Sequence, residues 1–190
     1  MIWPQKHKSC RRFNYPGDAH SLTFSCFRRI PLLSRDRSRQ WFIDALHEAK
    51  RRFEFDLWAY MLMPEHVHLL IFPRREVYSI SAILTAVKKP VTLAALRWLE
   101  AHAPAFLPRL LDGQPSGKSA HRFWQRGGGY DRNMIEPETI HAEINYIHMN
   151  PVRRELAGEP NGWMYSSALY FAGQQNVPVI PDVHSIPGYC

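Results

Sequence analysis

The sequence predicts an α+β fold of the ferredoxin-like class, in which an antiparallel sheet carries helices on one face and an additional helix follows. The prediction rests on the order of the elements that the residue patterns indicate, which is βαββαβ and then one more helix. It rests also on size, because 190 residues of which 45% are hydrophobic can enclose one sizeable core. We therefore expect a single domain over residues 1–190, with a core from about residue 20 to about residue 170 and an extension at each end.

Three strands and one helix are predicted in the first half of the chain. Residues 20–27, HSLTFSCF, have the β-branched and aromatic content of a strand, and residues 35–53 place apolar side chains at helical intervals. Residues 54–63 and 66–72 have the composition of two further strands, and the tight Pro-Glu connection between them predicts an antiparallel hairpin.

The second half is predicted to be mainly helical. Residues 79–103 form a helical pattern with a kink or a break at Pro90, and residues 104–121, rich in Pro, Gly and Ser, are predicted to be a loop. A short strand is expected around residues 122–126. Residues 137–150 then supply a helix with a proline near its first turn and acidic residues that suit the helix dipole.

Composition narrows the classes of function. Twenty-four Lys and Arg residues against seventeen Asp and Glu give a net charge of +7, which favours a polyanionic partner, nucleic acid above all. Cys10, Cys26 and Cys190 are too few and too widely spaced for a disulfide framework or a metal knuckle, so a reducing, cytoplasmic location is expected. No apolar run approaches the roughly 18 residues of a membrane span, and no secretory signal is indicated, so we expect no membrane partner.

Two histidines lie at the start of the third predicted strand. Residues i and i+2 of a strand project from the same face, so His66 and His68 can present both imidazoles to one ligand, as half of a metal site. For an isolated His-x-His pair, however, two polar side chains satisfied by backbone or water are the commoner explanation. Tyr146 and Asn150, four residues apart on a predicted helix, place a phenol beside an amide oxygen.

Four sequence blocks, MPEHVHLLI, FWQRGGGYDR, YIHMNPVRREL and WMYSSALY, resemble in order the motifs of single-tyrosine HUH transposases, and most of all those of REP-associated tyrosine transposases. The resemblance extends from about His20 to Tyr170. It implies an RRM-like sheet, with His66, His68 and Asn150 as ligands of a divalent ion and Tyr146 as the nucleophile that cuts single-stranded DNA.

The implied chemistry is physically reasonable. Attack on a phosphodiester needs an oxygen nucleophile and a cation that neutralises the non-bridging oxygens, and two imidazoles with one amide oxygen suit Mg²⁺, or Mn²⁺ as a substitute. The resemblance further implies a 5′-phosphotyrosine intermediate with a free 3′-hydroxyl. The partners it implies are single-stranded or hairpin DNA. A homodimer is a separate candidate for the assembly.

Weaker signals concern basic residues. Lys88 and Lys89 match the positions where the resembling family places basic side chains against DNA, although a solvated charged helix face explains them nearly as well. Arg11 and Arg12, in the basic segment near the start, and Arg126 are further candidates for contacts with phosphates.

Other candidates have competing structural explanations. Glu65 can orient a metal ligand, or it can simply suit the hairpin turn. Phe123, Trp124 and Tyr130 can stack on unpaired bases, but packing in the core is the favoured prediction for all three. His148, two residues after the tyrosine, should face another side of the helix.

Three functions therefore compete: a DNA-cleaving and DNA-joining enzyme, a catalytically silent or domesticated nucleic-acid-binding protein of the same fold, and a metal-dependent phosphoesterase that uses activated water. The presence of all four residues, His66, His68, Tyr146 and Asn150, favours the first. The third lacks the additional carboxylate ligands that such sites usually gather.

Overall fold

The computed structural model describes residues 13–113, 117 and 119–189. The strands are β1 (Ala19–Ser25), β2 (Phe55–Leu62), β3 (His66–Pro73), β4 (Leu111–Gly113), β5 (Ser119–His121) and β6 (Tyr130–Met134). The helices are α1 (Asp36–Phe53), α2 (Ile80–His102), α3 (Pro137–His148), α4 (Asn150–Arg153) and α5 (Ala168–Phe171), with short 3-10 helices between some of them.

Four strands form one antiparallel sheet in the order β2-β3-β1-β6. With α1 between β1 and β2, and α2 between β3 and β6, this is the ferredoxin-like arrangement, so the predicted fold class is confirmed. The predicted hairpin is β2 and β3, and it places the start of β3 beside the end of the central strand β1.

One face of the sheet packs against α1 and α2. Side chains that alternate along β3, Val67, Leu69 and Ile71, point into this first core, which the two helices cover. Burial of such a continuous apolar surface is the main source of stability for the sheet. Helix α2 begins where the hydroxyl of Ser79 accepts a hydrogen bond from the backbone N–H of Ala82, at 3.2 Å.

The other face of the sheet packs against α3. Ile140, Ile144 and Ile147 of that helix contact a second core that includes Leu70 of β3 and Met134 of β6. His66 and His68 have the same parity along β3 as Leu70. Both imidazoles are therefore on the face that α3 covers.

Of the kink or break predicted at Pro90, the break is wrong, because α2 is one helix from Ile80 to His102. Pro90 is exposed, so the one backbone hydrogen bond that it cannot donate is lost where water can replace it. Among the residues that the structure describes, no helix is both long and apolar enough to cross a membrane.

The segment before α3 differs from its prediction. The expected loop over 104–121 contains a 3-10 helix, Pro104–Leu110, and the small hairpin of β4 and β5. The expected strand around 122–126 is reduced to one bridge between Cys26 and Trp124, and the fourth strand of the sheet is β6 instead. The polar sequence YDRNM obscured β6, since an edge strand buries few of its side chains.

The helix predicted over 137–150 ends at His148, and Asn150 begins the separate turn α4. Pro151 causes this boundary, because it has no N–H to continue the ladder of α3 and is well placed in the first turn of a new helix. The interruption between α3 and α4 is short. The side-chain amide of Asn150 still donates to the carbonyl oxygen of Tyr146, at 2.9 Å.

Candidate active site

The two histidines of β3 lie side by side in a buried position. His66 and His68 are 7% and 5% exposed, and their ring centroids are 4.8 Å apart. His68 Nδ1 lies 2.8 Å from the hydroxyl oxygen of Thr23 on β1, and His66 Nδ1 donates to the carboxylate of Glu65 at 3.2 Å. Both rings are thus fixed through Nδ1, which leaves Nε2 as the nitrogen that can bind a ligand.

Tyr146 approaches these histidines from α3. Its ring meets that of His68 edge to face, with centroids 6.0 Å apart, and its side chain is 45% exposed. The guanidinium of Arg153 lies 4.7 Å from the centre of the same ring, a cation–π contact that sequence reasoning missed. The phenol is therefore held between a buried imidazole and a cation while it remains open to solvent.

Asn150 is buried at the start of α4. Its amide nitrogen donates to the carbonyl oxygens of Tyr146 and Ile147, at 2.9 and 3.5 Å. The side-chain oxygen is consequently the Asn150 atom available to a ligand. The structure thus brings Asn150 next to Tyr146 and His68.

The donors around His68 fit a divalent cation. His68 Nε2 is buried without a hydrogen-bond partner among the described residues, a costly state for a polar atom unless a ligand satisfies it. Burial, and then the neighbouring charge of His66, lower the pKa of His68 to about 3, so the ring is neutral, as a metal ligand must be. The contact of the Asn150 side chain opposes these effects, since it raises the pKa of His68.

Burial also lowers the pKa of His66, although the Glu65 carboxylate opposes this shift. Within the described ranges no three His, Cys, Asp or Glu side chains are grouped as a metal site. The donor set that fits is therefore two neutral imidazoles and the oxygen of Asn150.

Glu65 does more than occupy the hairpin turn. Its carboxylate is buried and accepts hydrogen bonds from His66 and, at 2.9 Å, from the guanidinium of Arg154. Such a carboxylate orients an imidazole and raises its basicity. Arg154 was not predicted, because its contact with Glu65 joins residues 89 positions apart.

A cleft of about 350 Å³ opens beside the nucleophile candidate, and it is lined by Thr23, His68, Tyr130, Glu143 and Tyr146. Glu143 was also missed, although it precedes Tyr146 by three residues and so shares its side of α3. Its carboxylate is held by the hydroxyl of Ser21, which donates at 2.7 Å.

The aromatic candidates differ in burial. Phe123 and Trp124 are in the core, as predicted, whereas Tyr130 is 52% exposed and the prediction of core packing is wrong for it. Tyr130 begins the edge strand β6, where its ring extends into the cleft instead of facing a helix. His148 faces away from the site, with its Nε2 2.8 Å from the hydroxyl of Ser167.

The basic candidates are not at the histidines. Lys88 and Lys89 lie on α2, across the sheet, and line a groove of about 530 Å³ with Arg122 and Arg126. We call this surface the basic groove. Lys88 Nζ donates to the carbonyl oxygen of Gly127 at 3.3 Å, and both arginines contact the carboxylate of Asp112. Arg11 and Arg12 lie outside the described residues.

The fold that these elements define is shared with a solved transposase. The similar structure is that of a REP-associated tyrosine transposase bound to a REP hairpin, with a TM-score of 0.66, 20% sequence identity and coverage of 91% of each chain. The resemblance inferred from the four sequence blocks is thereby confirmed at the level of the fold.

A second solved structure, of a Deinococcus radiodurans R1 protein assigned as a transposase, has a TM-score of 0.42 and 20% identity over 72% of this chain and 92% of that one. No family model matches the chain. No curated protein matches its sequence.

Proposed function

We propose that this protein is a single-stranded DNA endonuclease and strand transferase of the transposase type, which cleaves through a covalent bond to Tyr146. The observation that carries the proposal is the solvent-open phenol of Tyr146 against His68, whose buried Nε2 has no hydrogen-bond partner among the described residues. A buried metal-binding nitrogen next to an accessible oxygen nucleophile suits attack on a phosphodiester.

In the proposed reaction the Tyr146 oxygen attacks phosphorus and the bond from phosphorus to the 3′ oxygen breaks. The phenol proton passes to solvent, and the departing oxygen takes up a proton to become a 3′-hydroxyl. The 5′ phosphate remains joined to the tyrosine, so the energy of the phosphodiester is retained. A 3′-hydroxyl that attacks the phosphotyrosine reverses these changes and joins DNA.

His66, His68 and Asn150 would hold the divalent ion. Mg²⁺, or Mn²⁺ in its place, would supply Lewis-acid stabilisation of the charge on the non-bridging oxygens. Glu65 and Thr23 orient the two imidazoles through Nδ1, so neither ring needs to reorganise when a ligand binds.

The DNA contacts are proposed from charge and shape. The net charge of +7 and the basic groove favour a phosphate backbone, and the cleft at Tyr146 is open enough to admit an unpaired strand. The solved transposase of the same fold is bound to a REP hairpin, which supports a hairpin with single-stranded flanks as the substrate here.

Covalent trapping tests this proposal. The protein is incubated with Mg²⁺ and a labelled pool of single-stranded oligonucleotides that contain imperfect hairpins, then denatured and digested. We expect an adduct on the peptide that carries Tyr146, and none with Tyr146→Phe, which keeps the ring and its packing.

Tyr165→Phe is the matched control, since its hydroxyl is bonded to Asp36 and lies outside the cleft. It should form the adduct as the wild type does. An adduct on Tyr130, or cleavage by Tyr146→Phe at the wild-type rate, would refute the proposal.

A further inference from the structure

We propose that Tyr130 is the platform on which the unpaired base next to the cleaved phosphodiester stacks. The inference rests on the proposed function, because it assigns one nucleotide of the same substrate. Three aromatic side chains are candidates for such a role from the sequence. The burial of Phe123 and Trp124 in the core excludes both, and Tyr130 alone of the three is open to a ligand.

Tyr130 stands at the end of a row of side chains that crosses the sheet to the active site. Tyr130 of β6 is opposite Thr23 of β1, and Thr23 is opposite His68 of β3. Directly opposed residues project from the same face, so the three side chains form a continuous row. Two strand spacings separate its ends, which is roughly 10 Å.

Tyr146 of α3 contacts His68, which is the residue at the other end of this row. Its ring meets His68, and both tyrosines line the same cleft. A single nucleotide can therefore place its phosphate at the Tyr146 hydroxyl while its base extends along the row over Thr23 towards Tyr130. The ligand class for Tyr130 is thus a nucleobase that is not paired.

The ring of Tyr130 is available for stacking. It is 52% exposed, and no other described aromatic ring or cation stacks on it. Every nucleobase has a π face, so an exposed ring beside a phosphate site binds single strands with little preference for sequence.

The backbone beneath this platform is fixed. Gly129 has a φ of +78°, and a Cβ at this position would lie 2.1 Å from the carbonyl oxygen of Thr23. The chain can approach β1 so closely only with glycine there. The backbone at Tyr130 is consequently held close to β1 instead of moving with a loop.

Binding of DNA that lacks single bases tests the assignment. Affinity is measured by fluorescence anisotropy in EDTA, so that cleavage does not interfere, for the hairpin oligonucleotide that binds most tightly and for a series in which each unpaired base is removed in turn. In the wild type, loss of the stacked base should weaken binding roughly 5- to 150-fold, as for one base on one aromatic ring.

Tyr130→Ala should bind intact DNA more weakly by the same factor. Removal of the stacked base should not weaken the binding of this variant any further. Tyr130→Phe and Tyr130→Trp should bind as the wild type does, because they keep a ring. Tyr15→Ala is the matched control, since Tyr15 is 58% exposed and lies outside the cleft, and it should show the wild-type pattern.

The inference is overturned if Tyr130→Ala weakens binding by the same factor for every DNA in the series, whichever base is missing. It is also overturned if Tyr130→Phe loses as much affinity as Tyr130→Ala. Its failure is distinct from failure of the proposed function. If an adduct on Tyr146 is trapped but no base shows non-additive losses with Tyr130→Ala, the proposed cleavage is supported and the stacking role of Tyr130 is refuted. If one base shows non-additive losses with Tyr130→Ala but no adduct forms, the stacking site is supported and the proposed cleavage is refuted.

Discussion

The hydroxyl oxygen of Thr23 lies 2.8 Å from Nδ1 of His68 and fixes the orientation of that ring. When Nδ1 donates this hydrogen bond, the lone pair of the imidazole is on Nε2, the atom that is buried without a partner among the described residues. A residue of β1 thus orients a residue of β3 in the way that the proposed cation site requires, across a strand pair that also belongs to the main core.

Thr23→Val should therefore weaken binding of Mn²⁺ by roughly 10- to 100-fold, the usual effect of losing a hydrogen bond behind a ligand. The substitution keeps the β-branched shape, so the strand should remain intact. His68→Ala should abolish binding in the same calorimetric titration. His102→Ala, which removes an exposed imidazole from the end of α2, should leave it unchanged, and equal affinity in Thr23→Val and wild type would contradict the role of Thr23.

Two glycines of one segment should differ sharply when each is replaced by alanine. Gly127 and Gly129 both have positive φ, which costs any other residue about 1–2 kcal/mol. At Gly127 a Cβ meets nothing within 4 Å, whereas at Gly129 it overlaps the Thr23 carbonyl and adds about 1–3 kcal/mol of overpacking. Urea denaturation should show the larger loss of stability for Gly129→Ala, and similar losses for both would disprove the close approach.

Removal of one charge from the basic groove should change the salt dependence of DNA binding. Lys89 is exposed there, so Lys89→Gln should weaken binding to single-stranded DNA and reduce the slope of log K against log salt by roughly 0.7. Arg51→Gln removes an exposed charge on α1 and is the control, with no expected change of slope. An unchanged slope in Lys89→Gln would place the phosphates elsewhere.

The thiol of Cys26 should make the protein sensitive to alkali. Burial raises the pKa of Cys26 to about 12 from an ordinary value of 9.0, so the folded state disfavours the thiolate. The corresponding stability is complete below pH 9 and declines as the pH rises towards 12, by about 1.4 kcal/mol per pH unit.

Urea denaturation of wild type and Cys26→Ala checks this dependence. The difference in unfolding free energy between the two proteins should shrink by roughly 2 kcal/mol between pH 8 and pH 10.5, because only the wild type carries the titrating thiol. A constant difference would mean that the thiol ionises as readily in the folded protein as in the unfolded chain.

The sequence predicted the parts of the fold that have a clear pattern of apolar and polar residues within a short segment. The hairpin of β2 and β3 follows from two apolar runs and a tight turn, and the face on which His66 and His68 lie follows from strand geometry. Strand β6 was missed because it lies at the edge of the sheet and shows mostly polar residues. The strands β4 and β5 have three residues each, too few to reveal a period.

The candidate site also contains residues that the sequence predicted and contacts that it did not. Its four principal residues lie in two short segments, and the resemblance of the four sequence blocks, together with the spacing within each segment, led to their prediction. The contacts that support them, Ser21 with Glu143 and Glu65 with Arg154, join residues 122 and 89 positions apart. Only tertiary packing brings such pairs together, so no local pattern indicates them.

The alternation along β3 has a consequence for how this chain can diverge. Val67 and Leu69 point into the core beneath α1 and α2, while His66 and His68 point to the opposite face, where His68 lines the cleft. The two sides of the strand therefore have different surroundings. Insertion or deletion of one residue within β3 would move the residues on one side of it to the opposite face of the sheet, which would bury an imidazole in hydrocarbon and expose valine or leucine. An extra residue in the turn between β2 and β3 is instead taken up by a longer loop, which leaves the two faces unchanged. We therefore expect homologous chains to vary the length of this turn but to keep the number of residues within β3 constant.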